Sequence, residues 1–165
     1  MAVDGSGELL ARGNMVMDGY WSQADATATA IVDGWFHTGD GGSIDHTNYV
    51  TIVDRKKDVI ISGGENVSSI EVEDAIFQHP DVTEVAVIGI PDEKWGEAVT
   101  ALVVKATGSP LTEDEVIAWC RQKLAGYKCP KRVEFRSELA RTATGKLQKF
   151  KLRAPYWEGR DRQVN

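Results

Sequence analysis

Residues 139–151, LARTATGKLQKFK, set one lysine behind a glycine in a turn rich in threonine and alanine, and then open a basic segment. That lysine, Lys146, is either a solvated surface charge, the usual fate of its type, or a cation carried on a loop to a reacting phosphate. Charge along the chain bears on the choice. Residues 1–120 hold 6 basic and 21 acidic side chains and residues 121–165 hold 13 and 4, within a net charge of −6. An acidic body argues against a nucleic-acid binder. A basic final third suits either a small polyphosphate ligand or a solvated basic face. Two cysteines, Cys120 and Cys129, with three histidines make neither a metal-ligand cluster nor a disulfide framework.

The 165 residues suffice for one domain with a real core, or for one small domain plus a piece of another. A hydrophobic fraction of 42% with 27% charged residues is that of a globular protein. No run of 18 apolar residues exists to span a membrane. The first residues, MAVDGSGELL, have neither the basic nor the apolar region of a signal peptide, so a cytoplasmic location is expected.

The elements that must position Lys146 divide into two textures. Residues 7–53 read as β structure: GELLARG and YVTIVD are short apolar runs, and SIDHTNYVTIV reads as a hairpin turning at residues 46–48. A helical turn is expected around residues 24–31. These strands have too few partners to close a sheet of their own, so a domain cut short is expected here. After DRKKD, VIIS reads as a strand, GGEN as a glycine loop and SSIEVEDAIFQHP as a helix capped by Ser68 and Glu71. VTEVAVIGI and AVTALVVK are strands, and the nearly continuous apolarity of the first predicts that it is central. LTEDEVIAWCRQKL is a helix capped by Thr112 and Glu115, with Val116, Ile117, Cys120 and Leu124 on its core face. RVEFR is a further strand and residues 147–153 a short terminal helix. Alternating helices and strands give an α+β sandwich from about Asp58 onward.

Three stretches in order, DGWFHTGD (33–40), DRKKDVIISGGENVSSIEVE (54–73) and RTATGKLQK (141–149), resemble the C-terminal motifs of the adenylate-forming, AMP-binding enzymes. IGIPDEKWGEAV and GYKCPKRVEF narrow the likeness to the medium- and long-chain fatty-acyl-CoA synthetases (ligases). The resemblance covers nearly the whole chain. It implies a two-step reaction: ATP and an acid give acyl-adenylate, and the CoA thiol then displaces AMP. It also implies a small C-terminal domain, a three-stranded sheet with flanking helices and an N-terminal β-hairpin. On this basis residues 1–53 are the β-rich end of a large AMP-binding domain, 54–57 a hinge, and 58–165 the C-terminal domain. The large domain's phosphate loop and acid pocket have no counterpart here, so the chain is expected to be a fragment, inactive alone.

Site roles follow from the same resemblance. Lys146 is the catalytic lysine of adenylation, where a cation offsets charge building on the α-phosphate. Asp40, ending a Gly-Asp turn, and Arg55 would hold the ribose of ATP or AMP; a carboxylate can accept two hydrogen bonds from a vicinal diol. Lys57 is the hinge pivot. Ser62, Gly63, Gly64 and Trp95 line the pantetheine path of CoA, with Tyr127 and Lys131 at its nucleotide end. Two departures stand out. Ala140 replaces a proline that usually precedes the lysine turn, which predicts a less rigid loop, and Cys129 stands where some relatives are basic. Implied partners are fatty acid, ATP with Mg held mainly by the large domain, CoA, and the chain's own N-terminal domain. No nucleic acid and no metal of the chain's own are expected. Two alternatives stay open: an adenylating enzyme that loads a carrier protein, and a stand-alone non-catalytic binding or regulatory module.

Overall fold

A computed structural model describes residues 1–4 and 7–160. The chain forms two compact units, Met1–Lys57 and a second from Asp58 onward.

The first unit contains β1 (Ala2–Val3), β2 (Glu8–Ala11), α1 (Ala24–Ala30), β3 (Ile31–Val32), β4 (Trp35–Ile44) and β5 (Val50–Arg55). Contrary to the expectation of too few partners, the five strands make one antiparallel sheet, ordered β1-β2-β4-β3 with β5 also on β4. Counting short apolar runs missed β4, because WFHTGDGGSI lacks the usual strand residues over half its length. The strand is long enough to serve three neighbours, and its ladder with β5 carries a bulge opposite Gly41 and Gly42, where Val53 of β5 is the extra residue. A side chain at Gly42 would strike the Thr51 carbonyl, so glycine permits the bulge. The β4–β5 hairpin turns where expected: Asp45 Oδ1 accepts the Thr47 and Tyr49 N–H groups, and Asn48 takes a positive φ of 65°.

The second unit opens with the hairpin β6 (Ile60–Ser62) and β7 (Glu65–Val67), then α2 (Ser69–Phe77), β8 (Val82–Asp92), β9 (Gly96–Lys105), α3 (Glu113–Arg121), β10 (Arg132–Phe135) and α4 (Lys149–Trp157). Half of the expected glycine loop is thus strand. Only Gly63 and Gly64 form the turn, both at positive φ (63° and 85°), the conformation a tight two-residue hairpin demands of both central residues. Thr112 with Glu115 forms the expected reciprocal capping box, whereas at α2 the Ser68 hydroxyl accepts the Glu71 N–H while the Glu71 carboxylate binds the Lys128 ammonium.

The central strand is β9, not β8. It pairs with β8 antiparallel, with β10 parallel, and with β6 at Ser62–Gly96, whereas among the described residues β8 pairs with β9 alone. The continuous apolarity of β8 has another cause, because both its faces are covered. On one side Val87, Val99 and Val103 pack with Val72 and Ile76 of α2 and Val116 and Cys120 of α3. On the other, Ala86, Ile88 and Leu102 pack with Leu139, and Leu152 and Tyr156 of α4 lie against them. The outer edge of β8 is closed by side chains: Glu73 accepts the Val87 N–H at 2.7 Å, and the Trp157 indole donates to the Gly89 carbonyl at 3.0 Å. Lys149 ties α4 to Glu73 at 2.7 Å and Arg153 ties it to Asp58 at 3.1 Å. Among the described residues no helix is long and apolar enough to cross a membrane.

Candidate functional site

Lys146 sits on a closed hairpin between β10 and α4. The Thr142 N–H donates to the Lys146 carbonyl (2.8 Å), Gly145 N–H to the Thr142 carbonyl (2.9 Å) and Gln148 N–H to the Ala140 carbonyl (2.8 Å). The Thr142 hydroxyl accepts the Lys146 N–H at 3.0 Å. Gly145, at φ 84°, takes the left-handed step that a turn-plus-bulge hairpin requires. The missing proline at Ala140 therefore does not leave the loop open, since the backbone of Ala140 is itself part of the ladder. The Lys146 side chain is exposed, and among the described residues its ammonium has no ion-pair partner.

At the far end of β8, the Gly63 N–H donates to the Trp95 carbonyl at 2.8 Å, and a Cβ on Gly63 would lie 2.9 Å from the indole. Trp95 lines an open cleft of about 530 Å³ with Gly64, Pro91, Glu97, Trp157 and Arg160. Lys94 and Lys131 place their ammonium groups 4.7 and 5.2 Å from the Trp95 ring centre. Of the residues named from sequence, Gly63, Gly64, Trp95 and Lys131 therefore come together. Ser62 turns inward: it is buried, and among the described residues its hydroxyl has no hydrogen-bond partner. Tyr127 is exposed and does not line the cleft; Lys128 lies over its ring at 5.8 Å. Cys129 is buried too, its thiol pushed up by desolvation, so it offers nothing to a ligand. Sequence reasoning missed Glu97, whose buried carboxylate accepts the Ile61 N–H at 3.2 Å, Trp157 at the end of α4, and Arg160 beyond it. An acid at the head of GEAVTALVVK, a run apolar apart from Thr100 and the final Lys105, was the available signal for Glu97.

In the first unit Asp40 and Arg55 face each other across β4 and β5, with Arg55 Nε 3.3 Å from Asp40 Oδ1. Asp40 lies within strand β4, not at the end of a turn; the kink read as a turn is Gly39, at φ 74°. Lys57 lies in a 3₁₀ turn, Lys56–Asp58. Glu8 was also missed. This buried carboxylate accepts the Gly39 N–H (2.8 Å), binds the Lys56 ammonium (3.1 Å) and lies 3.2 Å from His37 Nδ1, fixing the residues adjacent to Asp40 and Lys57. Burial opposes its ionisation, but these hydrogen bonds prevail and hold the carboxyl below its ordinary range. Asp4, Glu8 and His37 have metal-ligand spacing. The group does not fit a cation, because Glu8 already carries the Lys56 ammonium.

Comparison with known proteins completes the picture. Residues 71–146 match the family model of the AMP-binding enzyme C-terminal domain. A feruloyl-CoA synthase of Amycolatopsis is 50% identical over 147 residues, 89% of this chain and 30% of its own. A long-chain-fatty-acid–CoA ligase of Mycobacterium tuberculosis is 47% identical over 152 residues, 92% of this chain and 30% of its own. The crystal structure of ATP-bound MatB from Rhodopseudomonas palustris superposes with a TM-score of 0.85 at 42% identity, over 91% of this chain and 30% of that one. The chain thus spans about 30% of the length of these relatives. Residues 71–146 thus match the AMP-binding enzyme C-terminal domain, and over about nine tenths of its length the chain is similar to the C-terminal part of acyl-CoA ligases.

Proposed function

We propose that the chain acts as the C-terminal part of an ATP-dependent, AMP-forming acyl-CoA ligase of the cytoplasm, with a fatty acid as its acid. In this reading residues 1–53 belong to a large AMP-binding domain, 54–57 are the hinge with Lys57 as pivot, and 58–165 are the domain that swings. Asp40 and Arg55 hold the nucleotide ribose. Lys146 offsets the charge that builds when the acid's carboxylate attacks the α-phosphate of ATP, whose Mg²⁺ is held by the large domain. The Gly63–Gly64 turn and Trp95 then admit the pantetheine arm of CoA, Ser62 backs that turn, and Tyr127 and Lys131 take the nucleotide end.

One observation carries the reading. The Lys146 hairpin is tied to β8 at Glu84, through Arg141, while the cleft beside Trp95 opens at Asp92. Eight residues of strand separate the two anchors, roughly 26 Å. A lysine and an acceptor cleft whose anchors lie so far apart on one compact unit are poorly placed to serve the same small substrate in one pose. Two successive reactions with a reorientation between them can use both.

The test joins the chain to the large domain of the mycobacterial long-chain ligase. The chain alone, given ATP, fatty acid and labelled pyrophosphate, should show no exchange, and the hybrid should show it. In the hybrid, Lys146→Ala should slow adenylation roughly a hundredfold to a thousandfold while thioester formation from supplied acyl-adenylate persists. Lys57→Pro should do the reverse, because proline stiffens the pivot. A hybrid no more active than the large domain alone, or equal slowing of both steps by Lys146→Ala, would overturn the proposal.

A further inference from the structure

We infer that Arg141 is a positioning residue for Lys146, and that its ion pair with Glu84 is the latch that holds the lysine hairpin against β8; the inference rests on the ligase reading for its catalytic consequence. Three contacts converge on one guanidinium. Arg141 Nε and Nη2 reach the same Glu84 carboxylate oxygen at 3.1 and 2.6 Å, and Nη1 donates to the Gly145 carbonyl at 2.8 Å. Gly145 is the residue before Lys146, so one side chain couples the first strand of the hairpin, its turn and an edge strand of the core. Arg141 also pairs with Leu147 across the hairpin, on the other side of Lys146. No lysine could reproduce this, because the fork of donors is needed to satisfy a carboxylate and a carbonyl at once.

An ion pair this exposed (side chains 43% and 35% accessible) adds little to the stability of the whole fold. Its effect belongs to a local equilibrium. The described contacts leave the turn itself, Ala143 to Gly145, exposed, so opening the hairpin need not unfold the sheet. A weak pair can therefore govern how often Lys146 is held in one place while the melting temperature barely registers it.

Amide hydrogen exchange on the full chain tests this without ATP or acid. In Arg141→Met the amides of Thr142, Gly145 and Lys146 should exchange about tenfold faster, and in Glu84→Gln about threefold. Arg141→Lys should fall between wild type and Arg141→Met. Amides of β9 should be unchanged in all three. High salt should accelerate the wild-type hairpin amides and leave those of Arg141→Met alone. Should Arg141→Met fail to fold, Glu84→Gln, which keeps the side-chain volume, decides. In the hybrid enzyme Arg141→Met should lower the adenylation kcat about tenfold with KM for ATP held. Unchanged hairpin exchange in a folded variant, or faster exchange with an unchanged kcat, would overturn the latch. A wild-type hybrid without adenylation would instead overturn the ligase reading, and the exchange result would stand apart from it.

Discussion

Glu8 shows how a buried charge can organise its surroundings when each carboxylate oxygen has a donor. Its carboxyl is lowered despite burial, so ionised Glu8 stabilises the fold at neutral pH, and that contribution is lost as pH falls below the ordinary glutamate range and through the lowered value. Glu8→Gln should cost the first unit on the order of 1 kcal/mol, the figure being small because Lys56 is 39% accessible and water can replace its partner. Thermal unfolding between pH 6 and pH 3 checks it: the variant should lose part of the acid dependence, and an unaltered profile would remove Glu8 from this role. Cys120 behaves oppositely. Burial, then the neighbouring Cys129 thiol, push it up to about 11 from 9.0, so the protonated form stabilises the fold fully below pH 9 and that contribution fades as pH climbs toward 11. At neutral pH neither cysteine should react with a thiol reagent until the second unit unfolds; fast stoichiometric labelling of native protein would contradict their burial.

At the scale of elements, the Gly63–Gly64 turn separates two reasons for glycine. Both positions have positive φ, but only at Gly63 would a side chain meet the Trp95 indole, while space around Gly64 is open. Gly64→Ala should therefore cost about 1 kcal/mol of stability from backbone strain alone. Gly63→Ala should cost more and also displace Trp95, seen as a change in its fluorescence. Equal effects on fluorescence would mean that the indole does not pack on the turn. Helices and caps were legible in the sequence, because Ser68, Thr112 and the 3.6-residue spacing of Val116 and Cys120 act locally. What escaped depended on partners far along the chain. Whether β8 or β9 is central is decided by β10 and β6, and β8 is apolar because α2 and α4 sandwich it. The same holds for the site. Lys146 and the glycine turn stand out as motifs, whereas Arg141 and Glu84 meet across 57 positions and Trp157 reaches the cleft from the last helix.

At the scale of the whole molecule, the two units differ in what sustains them. The second unit carries two apolar clusters on the faces of one sheet. In the first, Leu9 is the one described apolar side chain that is fully buried, although the sheet has five strands. Burying such a side chain contributes about 2 kcal/mol, little beside the conformational entropy of ordering a unit that size. Apolar side chains in the first unit are instead exposed: Trp21 is 93% accessible, Tyr49 76% and Ile52 61%. Five paired strands account for its backbone hydrogen bonds but not for its stability. The purified chain should therefore unfold in two steps, with amides of β2, β4 and β5 exchanging at least tenfold faster than those of β8 and β9, a ratio worth about 1.4 kcal/mol. Joining the chain to a relative's large domain should slow exchange in β4 and β5 if that domain covers the exposed apolar side chains, and leave β9 unchanged. Equal protection of both units in a chain shown by sedimentation to be monomeric would mean that the first unit is stabilised by something other than its own core.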